Sequence, residues 1–265
     1  MKIGAYQFPV TKEITENFKH MEEGARAAAK EGVRILAFGE CALTGYPEND
    51  AEHIRAIAEC DLESFIEKVG ELSRKYDIYL LFGSVRRQSF GWTNSAFLAS
   101  PDGIVVPVYE KRALWGWDKD LFSQPSESDS SIGVFEVDGM RFGVRICFEV
   151  RFPEYFRELY RAKPDAVFVL FNDRDETENS ERCSLITAHL RTRAVENVFP
   201  IVSVNTSLAF QCVPTASINR DGVIVAALPL DQPGLLVYAL EKTEPSFGTA
   251  GRMYISDMLT QNNLD

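Results

Sequence analysis

Histidine is scarce in this chain. His20, His53 and His189 are the only three in 265 residues. The first two fall in stretches that read as surface helices, and the third in a helix where packing or exposure explains it. None stands behind a strand-like run, so a sulfur nucleophile would have to find its base elsewhere. Cysteine is also sparse and odd in number, five in all, with neither a CxxC nor a Cys/His spacing. That is a poor disulfide framework and a poor zinc site, and it predicts reduced thiols and no metal. Positive charge is short: 28 Lys and Arg against 39 Asp and Glu, a net charge of −11. Nucleic acid and anionic membrane are therefore not expected as partners. No apolar run approaches the ~18 residues of a membrane span, and MKIGAYQFPV lacks a signal-peptide core. These absences predict a cytoplasmic protein. No linker-like stretch interrupts the chain, so a single domain over 1–265 is expected, with SQPSESDSS (123–131) as a polar, mobile loop.

What is present alternates. KIGAYQF is strand-like, and ENFKHMEEGARAAAKEG has helical spacing with Gly32 as its stop. RILAFGE is a strand ending on an acid, LESFIEKVGELSRKYD is an amphipathic helix, and IYLLFGSVR is an apolar strand. WTNSAFLASPDGIVVPVYEK and IGVFEVDGMRFGVRICFE read as hairpins turned at 101–103 and 138–139. The second half repeats the strand–helix rhythm in PEYFRELYRAK, DAVFVLFN, SLITAHLRTRAVEN and FPIVSVN. TASINRDGVIVAAL is a third hairpin about 221–222. Such alternation predicts a layered α/β fold.

Three polar residues follow apolar strands: Glu40 after RILAFG, Lys111 after VVPVYE and Cys147 after FGVRI. Ends of strands are where α/β folds gather ligands and reacting groups. Singly, each has an ordinary explanation: a solvated acid, a surface lysine, a small buried thiol. Together they form a chemical set. A free thiol is mostly protonated at neutral pH, and a desolvated carboxylate can take its proton. The apolar text around Glu40, ILAFGE and CALTGYP, supplies that desolvation. A fixed ammonium at Lys111 suits the negative charge that develops on a carbonyl oxygen.

The chain resembles the nitrilase, or carbon–nitrogen hydrolase, superfamily over nearly its whole length. AYQFPV is similar to the opening strand of that family, FGECALTGYP to its glutamate segment, YEKRALW to its lysine segment and RICFEVRFPE to its nucleophile segment. LRTRAVENVFPIVSVN and SINRDGVIVA resemble the later helix, strand and hairpin. The resemblance implies a four-layer αββα sandwich and a triad of Glu40, Lys111 and Cys147. It implies a thioester intermediate, with the backbone N–H of Phe148 as a second oxyanion donor and no cofactor. The activity it implies is hydrolysis of a small linear amide or carbamoyl compound. Alternatives on the same fold are acyl transfer, nitrile hydrolysis or a catalytically silent binding protein; a thiol-redox role for Cys147 would need a resolving cysteine. The family also forms homodimers or larger homo-oligomers, in which SFGTAGRMYISDMLTQNNLD would be an extended arm.

The chain departs from the family pattern in places. The second glutamate beyond the lysine is missing from KRALWGWDKDLF, where Asp118 is the nearest acid and Asp120 lies behind it. Ala113 replaces a histidine. After DAVFVLF, Asn172 is kept, while Asp173 and Arg174 stand for a bulky, rigid pair. Arg174 suits a substrate carboxylate by its planar guanidinium, but in so charged a segment a solvated loop is the favoured reading. Glu149 and Arg151 are expected to form an internal ion pair behind the nucleophile. Arg193, Glu196 and Asn197 read as structural, and Tyr46 as a pocket wall beside Pro47. Trp115 and Trp117 line an entrance or pack, and Cys41, Cys60, Cys183 and Cys212 read as packing residues.

Overall fold

The central strands are continuously apolar because both of their faces are covered. In β1 (Lys2–Gln7) and β2 (Ile35–Ala37), Ile3, Ala5, Ile35 and Ala37 point to one core, while Leu36 and the following Phe38 point to another. In β8 (Ala166–Leu170), Ala166, Phe168 and Leu170 face the first of these cores, and Val167 and Val169 face a third. Period-two alternation between two apolar environments is what a strand between two layers requires.

The computed structural model describes residues 1–265 except 49, 117, 126–130, 179, 242–243 and 262–265. The helices α1 (Ile14–Lys30), α2 (Ala51–Glu59) and α3 (Leu62–Tyr76) precede β3 (Tyr79–Gln88), β4 (Gly91–Ala99), β5 (Val105–Glu110) and the short α4 (Asp118–Leu121). Then come β6 (Val134–Val137), β7 (Met140–Ile146), a 3₁₀ turn (Cys147–Arg151), α5 (Pro153–Arg161), β8 and α6 (Glu181–Asn197). The chain closes with β9 (Ile201–Val204), β10 (Ala216–Ile218), β11 (Ile224–Ala227), β12 (Gly234–Ala239) and α7 (Phe247–Gln261).

Two six-stranded sheets result, ordered β12-β1-β2-β3-β4-β5 and β11-β10-β9-β8-β7-β6. Three neighbouring strands in each are parallel, β1-β2-β3 and β7-β8-β9, and the outer pairings are antiparallel. One core lies under α1 and α3, one between the sheets, and one under α5 and α6. This is the expected αββα sandwich. All three hairpins turn where the sequence places them, with Gly103, Gly139 and Gly222 at positive φ. Gly32 follows α1 as its stop, at φ +69.

Several expectations need correction. The C-terminal arm is instead α7, held on α5 by Tyr160, which donates to Met253 O at 3.1 Å and Asp257 Oδ1 at 2.7 Å, and on α6 by Ser256, which donates to Glu196 O at 3.2 Å. Its scattered apolar residues, with Tyr254, Ile255 and Met258 exposed, hide the helical period. His53 lies on α2, which Asp50 caps, and is buried rather than on the surface. Cys183 and Cys212 are joined in a disulfide rather than being free; the fold brings α6 beside the segment before β10, which linear spacing could not reveal. Trp117 and most of the polar 123–131 stretch lie outside the described residues.

Candidate active site

Glu40, Lys111 and Cys147 meet where the two sheets present strand ends to one another. Glu40 follows β2 on a loop seated by two close approaches. A Cβ on Gly39 would lie 2.6 Å from Phe171 O, and one on Gly83 would lie 2.4 Å from Cys41 N. With glycine at both positions the loop drops between the sheets, and Glu40 N donates to Phe171 O at 3.1 Å. Lys111 follows β5, its backbone N–H held by Asn94 O at 2.8 Å. Cys147 begins the 3₁₀ turn with φ 47, a left-handed conformation that turns the chain sharply off β7.

Glu149 holds that turn. Its Oε2 accepts from Ile146 N at 2.9 Å, and its Oε1 accepts from Tyr109 OH at 2.6 Å and Arg112 N at 2.8 Å. The expected Glu149–Arg151 ion pair does not form, because the Glu149 oxygens turn inward to these donors. Arg151 instead lies over the Phe148 ring and lines the cavity. Arg193 donates to Val150 O and Arg151 O and pairs with Glu196, structural as expected.

At the floor, Lys111 Nζ lies 2.8 Å from Glu40 Oε1 and 2.8 Å from Asp118 Oδ2. All three side chains are at most 1% exposed. Asp118 reaches the lysine despite its shorter side chain because α4 starts at this residue and draws it inward. Trp115 N donates to Oδ2 at 3.0 Å, and Tyr46 OH donates to Oδ1. Glu40 accepts further from Asn94 Nδ2 at 2.8 Å on Oε1 and from Asn172 N at 3.1 Å on Oε2.

Burial pushes the Glu40 carboxyl upward, and the Lys111 charge opposes this without cancelling it. Burial disfavours the Lys111 ammonium, yet the charges of Glu40, of Cys147 once it is ionised, and of Asp118 outweigh it and hold Lys111 well above its usual value. The Cys147 thiol is pushed well up by burial and then by the Glu40 carboxylate that lines the same cavity. The site thus holds a protonated thiol beside a carboxylate of raised basicity and a permanent cation.

These groups open onto a cavity of about 480 Å³. Its wall includes Tyr46, Trp115, Phe148 and Asn172, and its rim carries Glu48, Arg151, Asp173, Arg174 and Arg182. Arg174 stands at the rim, 3.4 Å from Glu48, with both side chains well exposed. Asp173 is buried and paired with Arg182, which also reaches Cys212 Sγ at 3.2 Å. Sequence reasoning passed over Asn94, although a Thr–Asn–Ser triplet in an apolar strand was a visible signal. It also passed over Glu48 and Arg182, for which no local pattern exists.

Three strand-end groups of this kind on an αββα sandwich define a thiol, carboxylate and ammonium site. Residues 2–244 match the carbon-nitrogen hydrolase family, and the chain belongs to it. It is 28% identical over 174 residues to a glutamine-dependent NAD(+) synthetase from Acinetobacter baylyi, covering 64% of this chain and 31% of that protein. It is 26% identical over 170 residues to a 2-oxoglutaramate amidase from Bacillus subtilis, covering 63% of each. The chain thus spans less than two thirds of the length of both relatives. A mutant of the amidase from Nesterenkonia sp. AN1, solved in complex with butyramide, superposes with a TM-score of 0.81 at 20% identity, over 100% of this chain and 97% of that one.

Proposed function

We propose that the chain is an amidase that hydrolyses small linear amides through Cys147, with Glu40 as base and Lys111 as oxyanion donor. The observation that carries this reading is the floor geometry: Lys111 at 2.8 Å from both Glu40 and Asp118, fully buried, beside Cys147 in one cavity. Family membership and the butyramide-bound neighbour support it.

Glu40 takes the Sγ proton as sulfur attacks the amide carbon, and the carbonyl oxygen becomes an oxyanion. An ammonium has three N–H donors; two are committed to Glu40 and Asp118, and the third meets that oxygen, joined by Phe148 N–H. Collapse breaks the carbon–nitrogen bond, Glu40 returns its proton to the departing amine, and a thioester remains on Cys147. Glu40 then takes a proton from water, which attacks the thioester; the carboxylic acid leaves and the thiol is restored. A thiol whose pKa lies above its usual value needs this base, since little thiolate forms unaided.

The reading extends to a cytoplasmic, homo-oligomeric protein, for which the exposed apolar residues of α7 offer a contact face; sedimentation would measure the assembly. Among the described residues no helix is long and apolar enough to cross a membrane. Ammonia release from a panel of small amides, with Cys147→Ala as control, tests the chemistry. Release by the parent and not by the variant is expected; equal rates from both remove Cys147 from the reaction.

A further inference from the structure

The Asn94 side chain sits on β4 at 1% exposure, donating Nδ2 to Glu40 Oε1 at 2.8 Å. Its Oδ1 is buried and has no hydrogen-bond partner among the described residues. A buried acceptor left unsatisfied is costly, and natural proteins keep few of them. Turning the amide over would not help, because it would set Oδ1 against the carboxylate and forfeit the donor. The carboxylate therefore dictates the orientation of the amide. The backbone of the same residue fixes Lys111, whose N–H donates to Asn94 O at 2.8 Å. One residue thus holds both the base and the lysine.

We propose that Asn94 is a positioning residue for proton transfer: with Lys111 it saturates Glu40 Oε1 and leaves Oε2 as the oxygen that exchanges a proton with Cys147. This rests on the amidase reading of the site. Oε1 takes two side-chain donors, whereas among the described residues Oε2 takes only the Asn172 N–H at 3.1 Å. A carboxylate oxygen has two lone-pair sites, so Oε2 keeps one for the thiol proton. Without the amide, Oε1 keeps only the lysine, and the carboxylate can rotate to present either oxygen. Loss of a donor to the charged form also makes the carboxylate harder to ionise.

The test compares Asn94→Leu and Asn94→Asp with the parent, all carrying Cys60→Ser so that alkylation of the partly exposed Cys60 does not interfere. Two readouts are taken against pH: kcat and KM for amide hydrolysis, and the rate at which iodoacetamide alkylates Cys147. For Asn94→Leu, kcat should fall roughly 10- to 100-fold with KM changed less than about threefold. The acid limb of both profiles should move up by about one pH unit. Asn94→Asp keeps the side-chain size and tests the same point if the leucine variant does not fold; its second carboxyl should shift the acid limb at least as far. A folded variant with kcat within about twofold of the parent and unmoved acid limbs overturns the inference. If alkylation shifts as stated but no amide is turned over by the parent, the amidase reading fails and the positioning role stands. If amides are turned over and neither variant moves either profile, the positioning role fails and the amidase reading stands.

Discussion

The two halves of the molecule are the same device armed differently. Read from β12 and from β6, the two sheets have one strand order and one pattern of parallel and antiparallel pairing. The α1 and α3 connections of the first match α5 and α6 of the second. Equivalent strand ends carry different residues: Phe8 after β1 against Cys147 after β7, and Lys111 after β5 against Leu228 after β11. Glu40 and Asp173 stand three residues beyond β2 and β8 respectively, yet Glu40 faces the lysine while Asp173 is spent on Arg182. The first half supplies the buried charges and the second supplies the sulfur. The architecture makes strand ends available twice, and single residues decide which of them can react.

Removing the sulfur should separate the halves most completely. Cys147→Ala is expected to lower ammonia release by roughly a thousandfold or more while leaving the melting temperature near the parent's, measured by coupled assay and calorimetry. Glu40→Gln keeps the shape and Oε1 acceptor but cannot take a proton. Its kcat should fall by roughly 100- to 10,000-fold, and its pH profile should lose the acid limb that the carboxylate sets.

In the parent, the raised Glu40 pKa places that limb above the ordinary carboxylate range. Activity is expected to fall as pH drops through it, because a protonated Glu40 could no longer take the thiol proton. Lys111, raised well above its usual value, should give a flat alkaline side until it finally deprotonates. A kcat/KM profile between acid and alkaline pH checks both limbs.

Asp118→Asn tests the first half alone. It keeps the side-chain size but removes one anion from Lys111, and kcat should fall roughly 10-fold, with some stability lost because a buried pair is broken. Arg174→Ala at the rim should change kcat on an uncharged amide by less than about twofold, since exposed pairs contribute little.

The sequence showed the floor better than the rim. Glu40, Lys111 and Cys147 each end an apolar run, so strand-end logic finds them without coordinates. Asp118 was the nearest acid, but its reach depends on α4 starting at that residue, which four residues could not announce. Arg151 was paired with Glu149 on the family's acid and arginine after the nucleophile, whereas Glu149 turns to Ile146, Tyr109 and Arg112 and Arg151 lies over Phe148. The rim residues Glu48, Asp173 and Arg182 come from separate loops and one helix end, and only the folded chain assembles them. The same limit hid the Cys183–Cys212 bond, while α7 escaped because its apolar residues do not keep to one face.

The pairing of β12 with β1 bears on how the molecule reaches this form. Residues 2–7 take their antiparallel partner from 234–239, more than 200 residues further along the chain. During synthesis one edge of the first sheet must stay open until residues 234–239 have emerged, and an open strand edge invites foreign partners. Contacts so distant in sequence also slow the search for the native state. Closing that edge is therefore a late event, and a nascent or truncated chain lacking β12 would be the species most in need of a chaperone.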